Sequence, residues 1–146
     1  MAGINVDIRR AAMGLLARRE HSKQELLYKI RKRFPSETNL IEDAIATLNQ
    51  EGLQSDSRLA EAFLHSRANH GQGPLKIRSE LKTKGVKDED INGAFADCAI
   101  DWCEQVTSVA SRRFGELGPK NAKERAKRSR FLQQRGFSFE EIASLY

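Results

Sequence analysis

The sequence predicts an all-α protein built from three tandem three-helix, helix-turn-helix-like repeats in an elongated, curved array. Three observations carry that expectation. Apolar residues recur at intervals of three and four, and alternating strand-like runs of Val, Ile, Thr and aromatics are missing. Signals that start and stop short helices punctuate the chain from end to end. Shifted by 51 residues, the chain resembles itself.

Composition agrees. Of 146 residues, 39% are hydrophobic and 31% charged, the balance expected of narrow helical layers with much exposed surface rather than one thick core. The length suits one domain or, equally, a repeat array. No run approaches the roughly 18 consecutive apolar residues that cross a bilayer. The start Met1-Ala-Gly-Ile-Asn-Val-Asp-Ile lacks the basic and apolar segments of a secretion signal, so a cytoplasmic protein without membrane contact is expected. Cys98 and Cys103, five apart, fall on different faces of a helix and are expected to be buried small hydrophobes.

The elements follow in order. Asp7 to Arg19 forms a first helix with Ala11, Ala12, Leu15 and Leu16 as its stripe. Ser22-Lys-Gln-Glu25 spells a capping box, in which hydroxyl and carboxylate each accept from the other residue's backbone N–H. It opens a helix carrying Leu26, Leu27, Ile30 and Phe34, which Pro35 ends. Leu40, Ile41, Ala44, Ile45 and Leu48 give a third helix closed by Gly52. Asp56 is a candidate N-cap for the helix of Leu59, Ala60, Phe63 and Leu64, which finishes at Gly71. Gly73 and Pro74 suit the N-cap and first position of the next, because proline's missing N–H is unsatisfied there anyway. Leu75, Ile77 and Leu81 form its inner face up to Gly85. Asp88-Glu-Asp90 sets negative charge at a helix start, where the macrodipole favours it, and Ile91, Ala94 and Phe95 follow. Ile100 to Phe114 makes another helix around Trp102, Val106, Val109 and Ala110. A basic helix runs from about Asn121 to Arg135, and Gly136-Phe-Ser138-Phe-Glu-Glu141 repeats the cap-and-box signal before Ile142 and Leu145.

The shift of 51 places Ala11 on Ala62, Ala17 on Ala68, Ser22 on Gly73, Leu26 on Ile77 and Ile30 on Leu81. It then carries Phe63 to Phe114, Leu81 to Leu132, Gly85 to Gly136, Val86 to Phe137 and Ile91 to Ile142. Three units result, expected at residues 1–55, 56–98 and 99–146. Each has little apolar surface, so neighbours are expected to bury one another's faces.

Charge is unevenly spread. The formal net charge is +5, with basic blocks from Arg9 to Arg33, His65 to Lys84 and Arg112 to Arg135 separated by acid-rich stretches. An attraction to nucleic acid or an acidic surface follows. Nothing in the chain spells a nucleophile elbow, a phosphate-binding glycine loop or a metal-spaced His/Cys set, so neither catalysis nor a cofactor is expected. His65 and His70 lie five apart, not four, and with His21 read as surface or interface residues. Three-helix units also resemble helix-turn-helix DNA readers, but the candidate second helices are rich in Lys and Arg and poor in Asn and Gln. Backbone or acidic-protein contact is favoured over base reading, and a direct DNA-binding module stays open as the alternative.

The segment Asp56-Ser-Arg58-Leu-Ala60-Glu-Ala-Phe63-Leu-His-Ser-Arg67, with Gly71-Gln-Gly73-Pro74-Leu-Lys-Ile77-Arg-Ser-Glu-Leu81-Lys-Thr-Lys-Gly85-Val, resembles the central signature of the RecX family of recombinase regulators. Leu15-Leu-Ala17-Arg-Arg-Glu20-His-Ser22 with Glu25-Leu is similar to the family's N-terminal unit, and Arg130-Phe131-Leu-Gln-Gln-Arg135-Gly136-Phe137-Ser138-Phe to its C-terminal one. The resemblance implies a monomer docking in the groove of the RecA filament on single-stranded DNA. It would there reduce ATP hydrolysis, strand exchange and stimulated repressor cleavage. Contact residues are expected on the basic helices of the second and third units: Arg67, Lys76, Arg78, Lys82, Lys84, Arg125, Lys127, Arg128, Arg130 and Arg135. Asp56, Arg58, Gly73, Pro74, Gly85 and Gly136 are read instead as caps, turns and inter-helix contacts.

Overall fold

The computed structural model describes residues 2–146; Met1, counted above in the first unit, lies outside them. Among the described residues there are nine helices and no strand: α1 (Ala2–Arg18), α2 (Lys23–Arg33), α3 (Thr38–Gln50), α4 (Asp56–Asn69), α5 (Pro74–Thr83), α6 (Asp88–Asp97), α7 (Trp102–Phe114), α8 (Ala122–Gln134) and α9 (Phe139–Ala143). Among the described residues no helix is long and apolar enough to cross a membrane.

Local signals set most of the ends. Both capping boxes form, at Ser22 with Glu25 and at Ser138 with Glu141. Gly73 is the N-cap of α5 with Pro74 behind it, and Gly52, Gly71, Gly85, Gly115 and Gly136 take the positive φ that closes helices. Three expectations are corrected. The first helix starts at Ala2 rather than near Asp7, since Ile4 and Ile8 extend its apolar stripe and Ile8 is fully buried. Ser55, not Asp56, caps α4, its hydroxyl accepting from the Arg58 N–H. The helix expected from Ile100 starts at Trp102, because the Asp101 carboxylate accepts from the N–H groups of Cys103 and Glu104 and separates α7 from α6.

The hydrophobic interior is divided in three. Ile8, Ala12, Leu26, Ile30, Ile41, Ile45 and Leu48 form one cluster. Leu59, Ala60, Leu64, Ala68, Ile77, Leu81, Val86, Ile91 and Ala94 form the second, and Val106, Val109, Ala110, Leu132, Phe137 and Ile142 the third. Each cluster is closed by three consecutive helices. The expected burial of neighbouring apolar faces is therefore limited: among the described residues Trp102, 5.8 Å from Phe95 ring to ring, packs against both the second and third clusters, no residue is shared between the first and second, and polar contacts also join the units. Two smaller expectations also change. Cys103 is exposed while Cys98 is half-buried. His21 is 2% exposed, with Nδ1 3.0 Å from the Arg19 carbonyl and Nε2 3.0 Å from Lys29 Nζ. Burial lowers its pKa below the usual histidine value, outweighing the hydrogen bond to Arg19, and the charges of Arg19 and Lys29 act the same way.

The internal repeat holds in the second and third helices. Ile30, Leu81 and Leu132 are all buried, as are the pairs Leu26 and Ile77, Val86 and Phe137, and Ile91 and Ile142. In the first helices the register differs. Burial pairs Ile8, Ala12 and half-buried Leu16 with Ala60, Leu64 and Ala68, one residue beyond the shift of 51, and then with Val106, Ala110 and Phe114. The matches of Ala11 with Ala62, Ala17 with Ala68 and Phe63 with Phe114 are thus register errors. The turns after α1 and α4 have equal length, whereas the loop between α7 and α8 is longer, so the shift that aligns the second helices cannot also align the first helix of the third unit.

Candidate partner-binding surface

A helix leaves its first N–H groups and last carbonyls without intrahelical partners. Here the second helices of the units satisfy one another's ends. At the tip of α8 the carbonyls of Arg135 and Gly136 accept from the N–H groups of Gly73 and Leu75, which open α5, at 2.7 and 2.9 Å. At the tip of α5 the carbonyls of Lys84 and Thr83 accept from the Ser22 hydroxyl and the Gln24 amide, which open α2. The order α8, α5, α2 is therefore a head-to-tail series in which positive N-terminal ends meet negative C-terminal ends. With 13, 10 and 11 residues, the helices have a summed length of about 50 Å. No hydrogen bond or ion pair among the described residues joins the first unit directly to the third, so the units form a linear row.

Each joint is reinforced. Between the first two units, Glu25 accepts from Arg19 at 2.8 Å and Lys84 at 2.9 Å, while Asp56 takes the Lys23 N–H and the buried Gln54 amide. Arg58 reaches Glu20 and the Gly52 carbonyl. Burial alone would raise the Glu25 pKa, but the hydrogen bonds from Arg19, the Ser22 N–H and Lys84 overcome it and hold the carboxyl at about 2. Between the second and third units, Gln105 donates to the Ala68 carbonyl and Arg135 to that of His70. The Arg58, Asp56, Gly73, Gly85 and Gly136 positions thus sit in joints and turns.

The ten expected contact residues divide into two sets. Lys76, Lys82, Arg125, Lys127 and Arg130 are exposed on α5 and α8, with Lys82 loosely paired to Asp88 at 3.5 Å. The other five are engaged inside the chain. Arg78 donates to Asn92 and stacks on Phe95; Arg67 stacks on Phe63 near Glu80; Lys84 and Arg135 belong to the joints just described. Arg128 is 7% exposed, paired with Glu124 at 2.6 Å and donating to the Leu117 carbonyl at 2.9 Å. It stands where the first two units have buried Leu26 and Ile77. Basic residues absent from that set, Arg112 and Arg113, are exposed at the end of α7. They lie in the basic block from Arg112 to Arg135, which was the available signal.

Comparison with known proteins fits this architecture. The families described as RecX, second three-helix domain, and RecX, third three-helix domain, match residues 55–94 and 100–145. A Regulatory protein RecX of Pseudomonas fluorescens is 48% identical over 96% of this chain and 90% of its own length. That of Ectopseudomonas mendocina is 46% identical over 94% and 91%. The crystal structure of RecX from Lactobacillus salivarius shares the fold, with a TM-score of 0.80 at 22% identity over 99% of this chain and 95% of that one. By its helical units, their order and these relatives, the chain belongs to the RecX family of regulatory proteins.

Proposed function

We propose that this chain binds the RecA filament assembled on DNA and inhibits its ATP hydrolysis, strand exchange and coprotease activity, by occupying the filament groove or blocking growth. The observation that carries the reading is the head-to-tail series of basic second helices, a single extended surface in a member of a family of regulators. On that surface Lys76, Lys82, Arg125, Lys127 and Arg130 are the exposed cations assigned to contact. Units bounded near 55/56 and 98/99, with the Ser55 cap and the Cys98 to Asp101 break as support, would each make modest contacts. Linking them raises the effective concentration of every next contact, so a row binds far more tightly than one unit. The chain acts as a monomer in the cytoplasm on this reading, with no catalysis of its own.

The test follows ATP hydrolysis by the recombinase on single-stranded DNA while the chain is titrated. Inhibition at concentrations too low to coat the DNA supports filament binding. Inhibition that appears only when bare DNA is saturated, and vanishes steeply with salt, would instead mark a direct DNA-binding module.

A further inference from the structure

The three units share a depression between the first helix and the far end of the second. In the third unit it holds about 480 Å³ and is lined by Val109, Arg112, Arg113, Phe131, Arg135 and, from the preceding unit, Gly71. In the second unit, Phe63, Ser66, Arg67, Lys84 and the preceding unit's Glu20 line a depression of about 300 Å³. They occupy the places of Val109, Arg112, Arg113, Arg135 and Gly71. In the first, Ala11, Gly14, Leu15 and Arg33 line one of about 360 Å³. A basic side chain at the end of the second helix, Arg33, Lys84 or Arg135, recurs in all three.

The third depression is the most developed. Among the described residues no acidic side chain lines it. The guanidinium carbons of Arg113 and Arg135 lie 5.1 and 5.7 Å from the Phe131 ring centre, and Phe114 meets that ring edge-on at 5.4 Å. Arg135 Nε is buried without a hydrogen-bond partner. Gly71, at φ +84°, forms the wall, where a Cβ would come within 3.2 Å of Arg135 Nη2. Stacking fixes a guanidinium plane while leaving N–H edges to receive an anion in fork geometry.

We infer that this depression is a pocket for the carboxylate of an Asp or Glu side chain on a protein partner, with Arg112 and Arg113 receiving it beside Arg135. A nucleic-acid strand fits less well: the Phe131 ring already carries two guanidinium groups and offers no platform for bases. Val109 and Phe131 give an apolar floor suited to the methylenes of an acidic side chain. The depressions are also separate stations, one second helix apart, about 15–20 Å, which a polymer of identical protein subunits meets by presenting one carboxylate repeatedly. The identity of that polymer rests on the filament reading; the chemistry of the pocket does not.

The test compares the full chain with its Arg112→Gln/Arg113→Gln variant, substituted at exposed positions and checked for unchanged circular dichroism. Each is titrated with hexaglutamate, with recombinase filaments on single-stranded DNA, and with the bare oligonucleotide. The Arg135 Nε–H resonance of the parent chain should shift with hexaglutamate and stay still in the variant. Affinity for filaments should fall about tenfold, and for the oligonucleotide less than about threefold. A variant that answers hexaglutamate as the parent does overturns the pocket, and so does a loss on bare oligonucleotide as large as that on filaments. A parent chain that shows the Arg135 response yet ignores filaments removes the filament reading and keeps the pocket.

Discussion

The two joints of the row make the same end-to-end connection with different chemistry. Between the second and third units the helix tips meet backbone against backbone, the Gly73 and Leu75 N–H groups on the Arg135 and Gly136 carbonyls, with the Gln105 and Arg135 side chains bonding beside them. Between the first and second it is built from side chains: the Ser22 hydroxyl, the Gln24 amide, the Asp56 carboxylate and the Glu25 carboxylate between Arg19 and Lys84. A backbone contact is itself indifferent to charge and intolerant of volume. A side-chain joint adapts to volume and depends on ionisation.

The largest expected effect tests the intolerance of volume. A Cβ on Gly73 would lie 2.5 Å from the Gly136 carbonyl carbon and oxygen and 2.6 Å from the Phe137 nitrogen. Gly73 has φ −91°, so alanine meets no backbone strain there and the whole cost is overpacking against atoms that cannot turn aside. Gly73→Ala should lower unfolding free energy by about 3 kcal/mol in a urea titration. Gly85→Ala at the other joint meets the Gln24 side chain, whose amide end can turn aside but whose Cβ would lie 2.7 Å away, at φ +84°; it should cost about 2 kcal/mol, most of it left-handed strain. Equal losses at the two sites would erase the distinction between the joints.

Ionisation comes next. The Glu25 pKa is about 2 in the folded chain against an ordinary 4.5. A depressed carboxylate stabilises fully above its unfolded pKa, and that contribution is lost as pH falls from about 4.5 toward 2. With its side chain 13% exposed, Glu25 should contribute about 3 kcal/mol at neutral pH. Glu25→Gln should lose that much at pH 7, and its stability should fall less than the parent's between pH 5 and 2.5. Parallel pH profiles for the two proteins would show that the carboxylate is not what holds this joint.

These joints also mark where the sequence stopped being legible. Caps and apolar periodicity are local, so α2, α3, α5, α6, α8 and α9 and their glycine stops could be read from Ser22, Gly73, Asp88, Ser138 and their neighbours. The close approach of Gly73 to Gly136 joins residues far apart in the chain, and no local pattern encodes it. Basic residues posed the opposite difficulty. In a run such as Lys123 to Arg130 every cation looks solvated, and only three-dimensional packing separates exposed Arg125 and Lys127 from buried Arg128. The repeat held one usable clue, since the shift of 51 that maps Leu26 onto Ile77 also maps Ile77 onto Arg128.

That substitution of a core aliphatic by an arginine yields a smaller effect. Replacing a buried ion pair with a hydrocarbon of suitable shape is often close to neutral. Arg128→Leu restores the residue type of the other two units and leaves Glu124, 32% exposed, within reach of water. Its stability in a urea titration should stay near the parent's, since Glu124 can be hydrated once unpaired, and its inhibition of the recombinase should match the parent's, because the guanidinium is turned inward to Leu117 and Glu124. A loss of inhibition at unchanged stability would return Arg128 to the contact set.

The smallest effect on folding is expected where the charged ends of the cations make no polar contact in either joint. Lys76 and Arg125 are exposed on successive second helices, and neither forms an ion pair among the described residues. Reversing both, Lys76→Glu with Arg125→Glu, should shift stability by no more than about 0.5 kcal/mol, yet weaken recombinase inhibition about tenfold or more if the basic row is the contact surface. Lys84→Glu is the instructive contrast. It places a second carboxylate beside Glu25 and deprives that residue of a donor 2.9 Å away, so it should unsettle the first joint and the surface together. If the Lys76/Arg125 variant inhibits as well as the parent while Lys84→Glu does not, the cations matter for holding the row straight and not for touching the partner.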